Sequence, residues 1–248
     1  MRTSILRNLI ELYRIAALHL GIPYGSSFGL DWVRNEPACW PSSSVGMPDE
    51  RNLPELVRLM DSGELPPFLI VPGLPGEATI LFFRRQGIRE ILRWEGMYLE
   101  PEIYERPASL PEQYEVRPPL GPSMLNDWRD IVQKVMLTNK EFPTRLLEQC
   151  ASDPRIDLLC GFCNGRPVST GMAYRNETVA GLYFIATLPE FQGKGYAKAL
   201  VARFIEDCFS SGIREIVLHA SGEGEKLYRR LGFVPDGTLH TFWKLGKY

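Results

Sequence analysis

A chain of 248 residues accommodates one large α/β domain or two of ordinary size, and its 44 % hydrophobic and 23 % charged residues exclude a disordered, collagenous or coiled-coil protein. Its 28 basic and 30 acidic side chains leave a net charge of −2. That balance generates no field that holds nucleic acid or an anionic membrane, so an anionic ligand has to be gripped locally.

The first apolar stretch, "ILRNLIELYRIAALHLG", is interrupted by Arg7, Glu11, Arg14 and His19, which excludes a membrane span and a signal core. Ile5, Leu6, Leu9, Leu12, Tyr13, Ala16, Ala17 and Leu20 recur at helical spacing and predict a packed helix over 4–20. A strand near 28–34, a helix over 53–62, a strand at 68–71, a helix over 77–86 stopped by Gly87 and a strand at 88–99 follow. Pro107, Pro111, Pro118, Pro119 and Pro122 then forbid a continuous helix or central strand, marking a linker. Beyond it the pattern predicts helices over 123–137 and 143–151, a hairpin over 156–174, a strand at 179–187 and a helix over 194–210 ended by Gly212. A strand at 213–219, a helix over 223–231 ended by Gly232 and a hairpin near 233–245 complete the chain. The expected division is an N-terminal α/β domain, 1–112, and a C-terminal one, 113–248.

Five cysteines without an export signal predict reduced thiols and a cytoplasmic protein. Cys160 and Cys163 form a CxxC, but no second pair or histidine pair accompanies them. Packing is the expected role, and no metal site is expected.

The stretch "LPEFQGKGYAKAL" joins the strand "VAGLYFIAT" to a helix. The first turn of a helix carries N–H groups without intrahelical partners and the positive end of the helix dipole. Glycine at 193 and 195 lets a phosphate approach the backbone, and Ala197 keeps the next turn low. The N–H groups of Gly193, Lys194, Gly195 and Ala197 suit two phosphates, with the Lys194 and Lys198 side chains near further anionic groups. No Gly-x-x-x-x-Gly-Lys-Ser/Thr run occurs, which argues against nucleoside triphosphate hydrolysis. A dinucleotide fingerprint needs an acidic residue at the end of the following strand, and that strand ends in "VLHAS".

Gln192-x-x-Gly195-x-Ala197, preceded by "GLYFIATLPE" and followed, after "IREIVLHAS", by "EKLYRRLGF", resembles the GCN5-related N-acetyltransferase (GNAT) family over about 125 residues, 115–245. The N-terminal half resembles the degenerate domain of tandem members in "LDWVRN", "PPFLIVPG" and "RWEGMYLE", without the glycine loop, and no acyl-CoA is expected there. The resemblance implies an acyl-CoA N-acyltransferase fold, a mixed α/β sheet, with acetyl-CoA as cosubstrate in a V-shaped gap between strands 179–187 and 213–219. It implies a coenzyme site of Ile185, Ala186, Thr187, Gln192, Gly193, Lys194, Gly195, Tyr196, Ala197, Lys198 and Ser221. Ile185 and Thr187 would pair with pantetheine through backbone groups, and Ser221 stands where many relatives have asparagine. Tyr228, in Tyr-x-x-x-Gly-Phe, would protonate the leaving thiolate.

Where some relatives carry a glutamate base, this chain has Gly181, leaving Tyr183, His219 or water to take the amine proton. Trp94, Trp128, Phe142 and Tyr174 are candidates for an acceptor cleft or for the core. The expected partner is a small-molecule or peptide amine, not nucleic acid or a membrane. A coenzyme-binding regulatory module without turnover and a nicotinamide-dependent reductase are the rivals.

Overall fold

The structure is a computed structural model and describes residues 1–36, 39–109, 111–137 and 140–245. Helix α1, Thr3–Leu20, is followed by the hairpin β1, Tyr24–Ser27, and β2, Leu30–Val33. Next come β3, Ser43–Gly46, α2, Leu53–Asp61, β4, Phe68–Pro72, α3, Glu77–Arg85, and β5, Ile88–Leu99. The second half runs β6, Tyr114–Arg117, α4, Gly121–Met136, α5, Thr144–Ser152, β7, Ile156–Cys163, β8, Arg166–Asn176, and β9, Val179–Thr187. It ends with α6, Tyr196–Ser210, β10, Glu215–Ala220, α7, Gly222–Arg229, and β11, Val234–Lys244.

All 11 strands join one mixed sheet, ordered β1-β2-β3-β4-β11-β5-β10-β9-β8-β7-β6. Two pairs are parallel, β3 with β4 and β9 with β10, and each pair is bridged by a helix, α2 or α6. Strand β5, from before residue 112, lies between β10 and β11, from after it. The two halves of the chain therefore share one continuous sheet.

Helix α1 crosses one face of this sheet. Its apolar stripe is buried among residues of both halves, from Val45 and Ile70 to Trp128, Leu146 and Tyr174. Left-handed Gly21, φ 68°, caps it by donating to the carbonyls of Ala17 and Leu18. On the opposite face α6 and α7 cover β9, β10 and the end of β5 through Leu200, Phe204, Ile205, Tyr228 and Leu231. The N-terminal half has a third cluster, where α2 and α3 pack Leu56, Met60 and Phe83 on Leu69, Ile88 and Phe242.

Three differences from the sequence reading have physical causes. The expected hairpin near 233–245 is the single strand β11: Asp236 and Gly237 form a bulge between Pro235 and Thr238, with Gly237 at φ 100°. Strand β6 lies inside the proline-rich linker, where a short edge strand paired only with β7 tolerates flanking prolines. Strands β1 and β3 were not expected, because "YGSS" and "SSVG" carry little apolar signal.

Candidate active site

The site begins where β9 and β10 part. They pair in parallel from Val179 and Glu215 to Leu182 and Leu218, and Tyr183 and His219 are the first residues beyond the last pair. The cause lies on the other side of β9. There the β8 register shifts between Thr170 and Met172, so that Phe184 and Ile185 together stand opposite Gly171, with Phe184 at φ 53°. Such a bulge bends its strand and increases its twist.

Three aromatic rings hold the bulge. The Phe184 ring centroid lies 5.0 Å from Trp40, 5.1 Å from Phe142 and 5.9 Å from Trp128, all edge-on. Two side chains also satisfy backbone groups at the irregularity: Trp128 Nε1 donates to the Gly171 carbonyl at 3.1 Å, and Thr170 Oγ1 to the Phe184 carbonyl at 3.3 Å. Trp128, Phe142 and Tyr174 are therefore core residues and line no cleft, with Trp128 at 0 % exposure. Trp94 differs, being partly exposed beside His219 at 6.5 Å between centroids. Neither Phe184 nor Trp40 stood out in sequence, since an apolar strand residue carries no mark of a bulge.

Beyond the bulge, Leu188 N–H bonds the Val168 carbonyl and Ala186 stands opposite Thr170. By strand alternation the backbone groups of Ile185 and Thr187 turn toward the gap. The Thr187 carbonyl accepts from Gln192 Nε2 at 3.1 Å, and its buried Oγ1 has no partner. Gln192 thereby ties the loop back to the strand.

The loop continues through a 3-10 turn, Pro189–Phe191, into Gly193 at φ 74° and Gly195 at φ 83°. Gly195 is the α6 N-cap, and no side chain caps the helix. The first helical bond runs from Ala199 N–H to the Gly195 carbonyl. The N–H groups of Tyr196, Ala197 and Lys198 precede it, as orphan donors of the first turn. A Cβ at 193 would meet nothing within 4 Å, while at 195 it would touch Pro111 at 3.5 Å. The Lys194 ammonium donates to the Glu190 carbonyl at 3.2 Å and lies 5.0 Å over Phe191. Tyr196 is buried, stacked on Tyr114 at 4.5 Å, with its hydroxyl 3.2 Å from the Cys163 sulfur. Cys160, by contrast, packs in the core on the opposite face. Among the described residues no three His, Cys, Asp or Glu side chains gather as a metal site.

Helix α7 starts at the end of β10 with Ser221 as N-cap, its hydroxyl making no cap bond. Tyr228, on the α7 face turned to the sheet, is 8 % exposed and packs 5.6 Å from Phe233. Burial alone raises its phenol pKa, so it stays protonated near neutrality.

The position of the absent carboxylate is filled. A side chain at 181 would overlap Asn8 Oδ1 and the Tyr183 ring. Asn8 is 2 % exposed, and its Oδ1 accepts from the Tyr183 hydroxyl at 2.7 Å. This polar residue on the buried stripe of α1 was not singled out in sequence. Burial keeps Tyr183 well above its ordinary pKa, which makes it a poor base. His219 stands 6.1 Å from Tyr183, its buried Nε2 without a partner. Burial lowers its pKa to about 4, outweighing the Ile5 backbone contact, so the ring is neutral near pH 7.

Residues 123–233 match the model of the Acetyltransferase (GNAT) family. A 66-residue stretch is 35 % identical to "Uncharacterized N-acetyltransferase ycf52" from Gracilaria tenuistipitata var. liui, covering 26 % of this chain and 36 % of that protein. The chain thus matches little more than a third of this curated relative. Among solved structures, a "GCN5-related N-acetyltransferase" from Kribbella flavida superposes with a TM-score of 0.72 at 15 % identity, over 99 % of this chain and 98 % of that one. Another from Sphaerobacter thermophilus gives 0.60 at 15 % identity, over 86 % and 75 %. The architecture is the acyl-CoA N-acyltransferase fold. Within that fold, the similarity to the GNAT family lies in the C-terminal half, over residues 123–233.

Proposed function

We propose that the protein transfers an acetyl group from acetyl-CoA to a primary amine. The observation that carries this reading is the conjunction, at one end of β9, of a parted parallel strand pair with an uncapped helix mouth. The mouth suits a diphosphate, held by amides of Gly193, Lys194, Gly195, Tyr196, Ala197 and Lys198. The gap suits an extended pantetheine arm beside Ile185, Ala186 and Thr187. Ser221 stands at the gap's other lip and Gln192 fixes the loop.

In this reading the amine nitrogen attacks the thioester carbonyl from the α1 side, where His219 and Tyr183 lie. A C–N bond forms, the C–S bond breaks, and sulfur leaves with the electron pair. Tyr228, on the opposite face, supplies the proton that converts the thiolate to thiol. The amine proton passes to water, directly or relayed by the unpartnered Nε2 of His219, whose depressed pKa lets it hold a proton only in transit. Proton return to Tyr228 closes the cycle. The five cysteines stand free in the structure, which supports a cytoplasmic setting. Among the described residues no helix is long and apolar enough to cross a membrane. The N-terminal half, in this proposal, binds no coenzyme.

Thermal shift with acetyl-CoA, CoA, NAD and NADP, followed by thiol release in the presence of amines, tests the assignment. Stabilisation by the two coenzyme A species and amine-dependent thiol release are expected. Binding without release from any amine would identify the regulatory module instead, and a preference for NAD or NADP would identify the reductase.

A further inference from the structure

The acceptor side of the gap has a second, unassigned wall, built by the N-terminal half and the last strand. From His219, partly exposed rings run in sequence: Trp94 at 6.5 Å, Phe68 at 6.4 Å from Trp94, and Trp243 at 5.9 Å from Phe68. Leu92, two residues before Trp94 on the same strand face, is 54 % exposed. Core aromatics of this protein, such as Trp128 and Phe142, are sealed, whereas these are left partly open as one contiguous apolar surface. Surfaces of this kind mark ligand contacts.

At the far end stands Lys140, from the connection between α4 and α5. Its ammonium lies 5.3 Å over the Phe68 ring and 5.6 Å over the Trp243 ring. Among the described residues it has no carboxylate within ion-pairing distance and no hydrogen-bond acceptor. Burial pulls its pKa below the usual lysine range. A partly desolvated cation without an anion is costly and is relieved by a bound one.

We propose that the acceptor is a small amine with a flat or apolar body and an anionic group at the end away from the amine. Its body lies on Trp94, Phe68 and Trp243, its anion meets Lys140, and its amine reaches the gap beside His219. A polycation is disfavoured, because its second charge arrives at Lys140. This inference rests on the acetyltransferase reading but concerns the acceptor wall alone.

The test compares 4-[4-(aminomethyl)phenyl]benzoate, whose two rings are long enough to run along this wall, with 4-phenylbenzylamine and 1,10-diaminodecane, by kcat/KM at saturating acetyl-CoA and by equilibrium dialysis without coenzyme. The expected order is benzoate, then benzylamine, then diamine, with about tenfold between the first two, the scale of one charge-assisted contact. Lys140→Met should erase the benzoate advantage, Lys140→Arg should keep most of it, and Trp94→Ala should weaken both aromatic amines. Thermal unfolding identifies any variant that fails to fold. Preference for the diamine, or an unchanged benzoate-to-benzylamine ratio in folded Lys140→Met, overturns the proposal. If dialysis gives the expected order while no amine releases thiol, the wall is as described and the transfer reading fails.

Discussion

Each parallel strand pair is bridged by one helix and followed by another, α2 and α3 in the first half and α6 and α7 in the second, yet the two mouths are opposites. After β9 the chain enters α6 through Gly193 and Gly195 with no side-chain cap. After β3 it enters α2 through Asp49 and Glu50. Asp49 accepts from Arg51 N–H at 3.0 Å and from Asn52 Nδ2 at 2.9 Å, and Glu50 accepts from Thr79 Oγ1 at 2.8 Å. One mouth leaves donors for a ligand's charge, and the other supplies its own anions. The second helices differ as sharply. The seventh residue of α7 is Tyr228, against Phe233, and the seventh of α3 is Phe83, against Phe242. Under the proposed function, a few side chains decide which half of this shared framework holds a coenzyme and an acid.

Exchanging residues between the two halves should exchange these properties. Tyr228→Phe gives α7 the residue α3 already has. Turnover should fall by about 10²-fold or more, the usual scale for losing a general acid, with acetyl-CoA affinity nearly intact. An unchanged kcat removes Tyr228 from the mechanism. Gly193→Asp gives the α6 mouth an acid of the α2 kind, and calorimetry should show acetyl-CoA affinity weakened by about 10- to 100-fold, since like charge faces the diphosphate at the helix end.

Trp128→Phe tests the splay, whose β8–β9 bulge has no counterpart in the equivalent ladder of the N-terminal half, β2 with β3. It orphans the Gly171 carbonyl and leaves a void, so a stability loss of about 2–4 kcal/mol by denaturant titration is expected, with a raised KM for acetyl-CoA. The His219 effect is smaller. Its pKa is depressed on folding, so the unfolded chain takes up a proton between pH 6.5 and about 4 that the folded chain refuses. Stability should fall with pH through that window, and the fall should be shallower in His219→Gln. Glu50→Gln, at the mouth already closed, should leave acetyl-CoA binding unchanged.

Much of this contrast was legible beforehand, because glycines, prolines and helix periodicity are local signals. The glycine mouth, Tyr228 and the emptiness of position 181 follow from residues close in sequence. What was not legible depends on distant partners. The bulge at Phe184 exists because Trp40, Trp128 and Phe142 converge from three segments, and the occupant of the space beside Gly181 is Asn8, far away in α1. Likewise, Trp94 meets Phe68 and Trp243 only because β5 and β11 lie side by side, an arrangement that no alternation within either strand encodes.

A crystal structure of the complex with acetyl-CoA decides where the coenzyme lies. One coenzyme per chain is expected, its diphosphate against the amides of residues 193–198 and its arm between β9 and β10. A diphosphate at the α2 mouth, or a coenzyme bound away from the parted strands, would contradict it.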